Sequence, residues 1–292
     1  MGLDRLVGDT YLMRGSPSTL IYEDSESVYV VDPGHGRKRA KQLSKELVKL
    51  GKPLVIFITH YHSDHFSLLA GGRLKGRIIA TSIDAPAIRD PRIRVALTFG
   101  LPLSSGDPLL LYEAVGIDVD ETIDPQSSLG PLQLVFLPGH TPGQAGVLTP
   151  DGVLYAADSL FGDRVLDNYG VPYHFNPCMA LDSLKHLLDI SGEVNYLVPS
   201  HGPVVGGNEI KRLVEVNIDR LEDAWRLVRE MLTTPLTISE IAGKLASSYG
   251  VEPSPSLLLL LETAVRGYIS CMRDKVEAVI EEGVLKWRLK TQ

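Results

Sequence analysis

Short apolar runs separated by turn residues fill most of the first 208 residues, a pattern that predicts β-strands joined by loops. The run PLVIFITH from Pro53 is continuous, as in a strand buried on both faces. The segment TPDG at 149–152 predicts a hairpin turn. The other predicted strands begin at Thr19, Ser27, Arg77, Leu132, Ala145 and Val194.

Helical patterns interrupt these strands. The sequence RKRAKQLSKELVKLG from Arg37 has helical spacing and ends at Gly51, a residue suited to a helix C-terminus. Strands interleaved with helices predict a layered α/β protein with two sheets or one large mixed sheet. Residues 84–124 are rich in proline, glycine and leucine and lack a clear period, so we interpret them as an insertion that forms a lid over a site.

The chain becomes helical from about Glu209. One long amphipathic pattern comes first, and a second begins with Thr237 and Glu240 in the spacing of a capping box. A third helix is predicted over 256–283, before a final strand VLKWRLK. These patterns predict a main domain at 1–208 and a smaller helical domain at 209–292.

Charge and composition exclude several classes of protein. The 292 residues carry a formal charge of −7, which argues against general attraction to nucleic acid or anionic lipid. The longest apolar run, at 257–261, is far shorter than the roughly 20 residues that span a bilayer, so no membrane partner is expected. Cys178 and Cys271 provide no disulfide framework, and the N-terminus lacks the apolar core of a signal peptide. We therefore expect a cytoplasmic protein.

Three of the eight histidines lie within six residues, in the segment THYHSDH that follows the run PLVIFI. Residues two apart in an extended chain point the same way, so His60 and His62 can bind one metal ion. Asp64 and His65 enter the next turn and can bind a second ion. The end of one strand therefore supplies half of a candidate metal site.

Three more candidate ligands follow apolar runs farther along the chain. They are His140 in LPGHTPG, Asp158 in LYAADSLFG and His201 in VPSHGP. A single histidine after a strand is more often a hydrogen-bonded loop residue than a ligand. The motifs agree in context, however, and together they predict a dinuclear metal site at the edge of a sheet.

The unbroken HxHxDH motif and these later positions resemble the metallo-β-lactamase superfamily over roughly residues 10 to 208. The resemblance implies an αββα sandwich with its metals at one edge. It also implies a ligand set: His60, His62 and His140 for the first metal, Asp64, His65 and His201 for the second, and Asp158 as the bridge. Asp32 in VVDPG matches a further family motif, which implies support of the ligands without coordination. A plain Asp-Pro-Gly turn is the alternative for Asp32.

Two divalent cations at such a site lower the pKa of a bridging water and polarise an ester, thioester, lactone or phosphoester, so that hydroxide attacks. Asp64 and Asp158 are the catalytic carboxylates among the expected ligands. Nitrogen and oxygen ligands suit zinc, with iron or manganese as alternatives. Superfamily members that destroy β-lactams commonly use a cysteine at the second metal, whereas Cys178 lies outside every motif. Antibiotic hydrolysis is therefore not the expected role.

Departures from two related families bear on the substrate. Hydroxyacylglutathione hydrolases usually place glycines directly after the histidine motif, whereas this chain has FSLLA before Gly71, and Gln144 stands where a His or Asp is common. Lactonases of the superfamily have a tyrosine at the position of Phe161. The other candidates for the substrate pocket are Tyr169, Tyr173 and His174, although a surface loop is the favoured interpretation for His174. His35 is expected to be exposed.

The C-terminal order of helices and strand resembles the winged-helix module of the β-lactamase-like protein 2 family, some of whose members cleave single-stranded RNA. Residues 209–292 hold 12 Lys and Arg against 13 Asp and Glu, a net charge of −1, whereas a nucleic-acid reader is normally basic. We expect the module to wall the active site or form a homodimer contact. Three hypotheses remain: a hydrolase of small molecules, a metal-dependent nuclease or phosphodiesterase, and an oxidoreductase like the persulfide dioxygenases, with one iron.

Overall fold

Two β-sheets packed face to face form the centre of the computed structural model, which describes residues 2–104, 106–112 and 115–291. The first sheet has seven strands in sequence order. They are β1 (Asp4–Val7), β2 (Thr10–Met13), β3 (Thr19–Glu23), β4 (Val28–Val31), β5 (Leu54–Ile58), β6 (Arg77–Thr81) and β7 (Glu121–Ile123). Strands β1 to β4 are antiparallel and β4 to β7 are parallel, so β4, β5 and β6 end at the same edge.

The second sheet has six strands in the order β13-β12-β11-β10-β9-β8. They are β8 (Ser128–Leu129), β9 (Leu132–Phe136), β10 (Ala145–Leu148), β11 (Val153–Ala157), β12 (Tyr196–Pro199) and β13 (Val205–Gly206). Strands β11 and β12 are the parallel pair, and their carboxyl ends therefore also share an edge. The TPDG segment forms the predicted hairpin turn between β10 and β11.

Eight α-helices surround the sheets in the described part of the chain. They are α1 (Arg37–Val48), α2 (Ala85–Arg89), α3 (Pro91–Phe99), α4 (Asp163–Tyr169), α5 (Pro177–Asp189), α6 (Asn208–Met231), α7 (Ile238–Ser248) and α8 (Pro255–Cys271). Short 3₁₀ turns lie at Ser63–His65, Ser67–Gly71 and Ile190–Gly192. Among the described residues, no helix is both long enough and apolar enough to cross a membrane.

Apolar side chains fill the spaces between four layers. Phe57 and Tyr155 are fully buried between the two sheets. Leu43 of α1 packs on the outer face of the first sheet, while Leu184 of α5 and Leu213 of α6 pack on the outer face of the second. The predicted αββα sandwich is therefore confirmed, and the first half of α6 belongs to its outer helical layer.

A separate apolar core holds the C-terminal region together. The second half of α6 packs there with α7, α8 and a hairpin of β14 (Val276–Glu281) and β15 (Val284–Leu289). The predicted capping box of Thr237 and Glu240 is present at the start of α7. The prediction of a single helix over 256–283 is wrong, because α8 ends at Cys271. The segment VEAVIE alternates between more and less exposed positions, which is the period of a strand.

Three other expectations are changed by the structure. Residues 84–124 contain α2, α3 and the edge strand β7 rather than an irregular insertion. His35 is half-buried and its ring meets the edge of Tyr112. Cys178 at the start of α5 and Cys271 at the end of α8 form a disulfide, with their Cα atoms 6.1 Å apart. Such bonds are rare in a reducing cytoplasm, the setting that the sequence predicted.

Asn217 joins α6 to the loop that follows β11. Its Nδ2 donates to the carbonyl oxygen of Phe161 at 2.9 Å, and its Oδ1 accepts from the backbone N–H of the same residue at 2.9 Å. Asn217 is 1% exposed, so water cannot replace these bonds. One side chain thus satisfies both backbone groups of a buried loop residue.

We predict that Asn217→Ala lowers the free energy of unfolding by about 2–6 kcal/mol, because each of the two buried groups of Phe161 left without a partner costs about 1–3 kcal/mol. Urea denaturation measures the loss. Thr237→Ala, which removes only an exposed helix cap, is the comparison and should cost about 1 kcal/mol. A loss for Asn217→Ala no larger than that for Thr237→Ala would contradict the assignment.

Candidate metal centre

The strand ends of both sheets meet at one edge of the sandwich and carry all the predicted ligands. His60, His62, Asp64 and His65 follow β5, His140 lies between β9 and β10, Asp158 follows β11, and His201 follows β12. Apart from His62 and His201, which are partly exposed, these ligands are buried. The parallel pairs β4–β5 and β11–β12 explain the convergence, because parallel neighbours end at the same edge.

The side-chain atoms of these residues fall into two groups that could each hold a metal ion. One group is His60, His62 and His140, and the other is Asp64, His65 and His201; within each, the donor atoms lie within 4.8 Å of one another. Asp158 lies between the groups. Its Oδ2 is 3.3 Å from Nε2 of His140, and its Oδ1 is 3.4 Å from Nε2 of His65.

The position of Asp158 depends on the end of β11. Ala157 has a φ of 49°, in the left-handed region, and the pairing of β11 with β12 shifts register at this point. The next side chain is thereby turned out of the sheet toward the histidines. The hydroxyl of Ser200 donates to Oδ1 of Asp158 from the end of the neighbouring strand.

Asp32 holds the ligands of the first sheet from behind. Its Oδ2 lies 2.8 Å from Nδ1 of His65, while the backbone N–H and the hydroxyl of Thr59 donate to its two oxygens at 2.9 and 2.6 Å. The hydroxyl of Tyr155 donates to Oδ2 as well, at 3.2 Å. Asp32, His60 and His65 could also be counted as a metal-binding group. This carboxylate serves four donors, three of them at Oδ2, and it therefore orients the residues that carry those donors.

The same hydrogen bonds fix the tautomer of His60. Because the hydroxyl proton of Thr59 goes to Asp32, the Thr59 oxygen accepts from Nδ1 of His60 at 3.0 Å. In a neutral ring the other nitrogen, Nε2, then carries a lone pair. Nε2 of His60 is buried without a hydrogen-bond partner among the described residues.

Two further histidines are held in the same way through Nδ1. Nδ1 of His140 donates to the carbonyl oxygen of Tyr173 at 2.7 Å, and Nδ1 of His201 lies 2.6 Å from the hydroxyl of Ser16. In each case the outer nitrogen is bound by the protein and Nε2 faces the cluster. This is the arrangement that histidine ligands of a metal require.

The unpartnered atoms show that the residues present fit a metal. Nε2 of His60 and Nε2 of His65 are both buried and lack hydrogen-bond partners among the described residues. In His62 the atom that faces the other ligands is Nδ1, 2.8 Å from Nε2 of His140. A buried polar atom without a partner costs free energy, unless a bound group supplies the missing interaction. Imidazole nitrogens and carboxylate oxygens at this spacing suit a divalent transition metal.

The surroundings of the histidines shift their pKa values in opposite directions. Burial, with the neighbouring His65, holds the pKa of His60 well below its usual value, so the ring is neutral. Burial alone would also lower the pKa of His65, but the carboxylates of Asp158 and Asp64 raise it well above the usual value. A proton and a metal cation therefore compete for the ring of His65.

Asp84 is a site residue that the sequence did not reveal. Its Oδ2 accepts from the hydroxyl of Thr141 at 2.5 Å and from the backbone N–H of Tyr61 at 3.2 Å, and its Oδ1 accepts from the N–H of Gly143 at 2.8 Å. It thus ties the loop of His60 and His62 to the loop of His140. Burial raises the pKa of Asp84 to about 6, against the effect of these donors. A side chain at Gly143 would strike this carboxylate, because its Cβ would lie 2.6 Å from Oδ1.

Gln144 replaces the His or Asp found in related families, and the structure gives it a specific role. It is fully buried, and its Nε2 donates to the hydroxyl of Ser159 at 2.8 Å. Its Oε1 accepts from the N–H of Asp158 at 3.3 Å. Gln144 therefore connects the His140 loop to the segment that carries Asp158.

A cavity of about 240 Å³ opens onto the ligands. Phe161, Tyr169 and Tyr173, three of the predicted pocket residues, line it. The ring of Phe161 lies 5.9 Å from that of His140, and it brings no hydroxyl to the site. The surface position favoured for His174 is wrong: this residue is 1% exposed, and its ring lies behind His140, outside the lining of the cavity.

Comparison with known proteins places these features in a family. The sequence model described as the Metallo-beta-lactamase superfamily matches residues 12–201. No curated protein matches at a significant level.

Several solved structures share the fold. A metallo-beta-lactamase family protein from Thermus thermophilus is 18% identical, with a TM-score of 0.71 over 97% of this chain and 99% of that one. A beta-lactamase domain protein from Burkholderia ambifaria is 15% identical, with a TM-score of 0.72 over 99% of this chain and 93% of that one. A metallo-beta-lactamase from Pontibacter korlensis is 18% identical and covers 76% of this chain and 98% of its own, with a TM-score of 0.55.

We predict that Asp84→Asn weakens metal binding about 10- to 100-fold, the usual effect of removing a group that supports ligands from behind. The amide keeps the shape of the carboxylate but turns one acceptor into a donor that faces other donors. Competition with a chromogenic chelator measures the affinity. Asp90→Asn is the matched control, because asparagine caps a helix as well as aspartate does. Equal affinities in the two variants would exclude the role of Asp84.

Proposed function

Since the chain belongs to the metallo-β-lactamase superfamily, whose members are mostly hydrolytic enzymes, we propose that it is a hydrolase dependent on two divalent cations. The proposed substrate is a small ester, thioester, lactone or phosphoester. The observation that carries this proposal is the convergence of seven nitrogen and oxygen ligands at one end of a cavity, two of them, His60 and His65, with a buried Nε2 that lacks a hydrogen-bond partner among the described residues.

The two groups of donor atoms support a specific ligand assignment. We propose His60, His62 and His140 for one cation and Asp64, His65 and His201 for the other, with Asp158 between them. Zinc is the proposed metal, since every ligand atom is nitrogen or oxygen and three imidazoles converge in the first group. Divalent cations held there supply the charge that ionises a water near neutral pH and polarises a carbonyl oxygen.

The residues of the chain prepare this chemistry in three ways. Asp32, Thr59 and Ser16 fix the rings of the histidines from behind. The fully buried His60 and His65 keep bulk water from the inner side of the centre. The apolar wall of the cavity admits the substrate at the opposite side and excludes competing water. The site contains Phe161 at the position where lactonases have a tyrosine, so any proton for the leaving group must come from elsewhere.

The C-terminal region supports a small substrate over a nucleic acid. We propose that 1–208 is the catalytic domain and that 209–292 is a winged-helix-like module, in which α7, α8 and the β14–β15 hairpin follow α6. Helix α6 joins the two, because its first half packs on the second sheet and its second half in the core of the module. In helix-turn-helix proteins the second helix of the pair reads nucleic acid. Here the leucines of α8 line the cavity, and the module carries a net charge of −1. A wall for the active site is the role that we propose for it.

We predict that the purified protein binds two equivalents of divalent metal per chain and loses all hydrolysis when a chelator removes them. Asp158→Ala should lower both metal content and activity by orders of magnitude, because it removes the carboxylate between the two groups. Metal analysis and a panel of p-nitrophenyl esters, thioesters, lactones and phosphodiesters measure the two effects. Asp182→Ala, at an exposed position on α5, is the control and should behave as the unaltered protein does.

The outcome separates the three hypotheses. Cleavage of phosphodiesters alone would favour the nuclease hypothesis. A single redox-active iron with consumption of oxygen would overturn the hydrolase and favour an oxidoreductase. Full activity in Asp158→Ala would contradict the proposed mechanism.

A further inference from the structure

The start of α8 is unusually rich in leucine, yet most of these side chains are not fully buried. Five leucines occupy 257–261, and all but Leu261 are only half-buried. Leu257, Leu260 and Leu261 share one face of the helix, at the spacing i, i+3 and i+4. That face lines the cavity that opens onto the metal centre. For Leu257 and Leu260, part of the exposed surface therefore faces the cavity.

Helix α3 also brings apolar side chains to the cavity. Val95 and Phe99 of α3 line it, together with Leu110 and Leu111 from the segment that follows. Helix α3 packs directly against α8, so the two helices form neighbouring walls. The ligands His62 and Asp158 also line the cavity. The cavity thus combines a reactive region with a mainly apolar one, in which Arg94 and Thr98 are the polar residues of α3.

Helix α8 is fixed in this position. Gly267 packs so tightly on the start of α5 that a Cβ atom would lie 2.6 Å from Cδ of Pro177. The disulfide between Cys178 and Cys271 holds the same two helices together. The backbone just before α5 contacts the ligand loop, since the N–H of Asn176 donates to the carbonyl oxygen of Gly139 at 2.8 Å. The apolar wall is therefore held at a constant distance from the centre.

The charged side chain in the wall is satisfied by the protein. Arg94 is 3% exposed and donates to the carbonyl oxygens of Ala87 and Val115 at 2.9 and 2.5 Å. Its guanidinium also lies 5.3 Å from the ring centroid of Phe66. These contacts brace the segment 84–124 around α3. The charge of Arg94 does not require an anion on the ligand.

We infer that the cavity between α3 and α8 binds the apolar acyl group of a carboxylic ester or thioester, with the scissile carbonyl at the metal centre. This inference rests on the proposed hydrolase function and narrows it to substrates with a medium-length hydrocarbon acyl chain. The C-terminal region then sets the acyl length, because Leu257, Leu260 and Leu261 of α8 form part of the apolar wall of the cavity. Phosphoesters and short polar acyl groups leave this wall in contact with water.

The first test is a series of p-nitrophenyl esters from acetate through butyrate and hexanoate to octanoate, with the metal-loaded protein. We expect kcat/KM to rise about fourfold for each methylene that enters the cavity, the equivalent of about 0.8 kcal/mol per buried methylene. Activity that is independent of chain length, or greatest for acetate, would overturn the inference while leaving the hydrolase function intact.

Variants of α8 provide the second test. Leu260→Trp should fill the cavity and lower the ratio of octanoate to acetate kcat/KM at least tenfold, whereas Leu260→Ala should move the preferred length upward. Leu259→Trp is the matched control: Leu259 is half-buried on the same helix but outside the lining, so the ratio should not change. Circular dichroism shows that each variant is folded. If Leu260→Trp does not fold, the shift in Leu260→Ala decides.

Binding measured without hydrolysis separates this inference from the proposed function. Octanoic acid should displace an anilinonaphthalene sulfonate dye from the protein in the presence of EDTA, and acetic acid should not. Leu260→Trp should lose this displacement and Leu259→Trp should keep it. Displacement in a protein that hydrolyses no ester would contradict the proposed function but support the acyl cavity. The absence of displacement would overturn the acyl cavity.

Discussion

The carboxylate of Asp32 accepts hydrogen bonds from four donors, and the geometry of the metal centre depends on it. The donors come from both sheets, since Thr59 and His65 follow β5 whereas Tyr155 lies on β11. One buried carboxylate therefore sets the register between the two sheets at the edge where the ligands meet. Through Thr59 it also determines which nitrogen of His60 is free. Asp32 thereby orients His60 and His65, the two fully buried histidine ligands.

The centre also requires the backbone to leave the usual conformations of a strand. Asp32 has a φ of 50° and Ala157 a φ of 49°, both in the left-handed region that non-glycine residues rarely adopt. Each position costs of order 1 kcal/mol or more, which the surrounding hydrogen bonds must offset. Both lie where a strand ends and a carboxylate has to turn toward the histidines. Of the non-glycine residues with positive φ in the described part of the chain, only Glu282, in the turn between β14 and β15, lies away from the site.

Local patterns in the sequence predicted much of this structure. The residues of the HxHxDH segment are close in sequence, so they must also be neighbours in space. The apolar runs before His140, Asp158 and His201 predicted that these residues follow strands. Such local patterns could not predict contacts between residues that are far apart in the sequence. Asp84 bonds to residues 57 and 59 positions away, and Ser16 bonds to His201 across 185 positions. The strands β1 and β2 have only four residues each, too few for a clear alternation. The burial of His174 depends on rings brought in by other segments, which no local pattern contains.

The attachment of α8 to α5 has a consequence for how proteins of this design can diverge. The groups that surround the reactive end and the leucines that form the far wall lie in separate stretches of the chain, joined by a glycine contact and a disulfide. A leucine side chain makes no hydrogen bond to a ligand, so its size can change while the hydrogen bonds of the ligands stay the same. A lineage can therefore exchange its preferred substrate by drift in a single helix while every ligand remains under purifying selection.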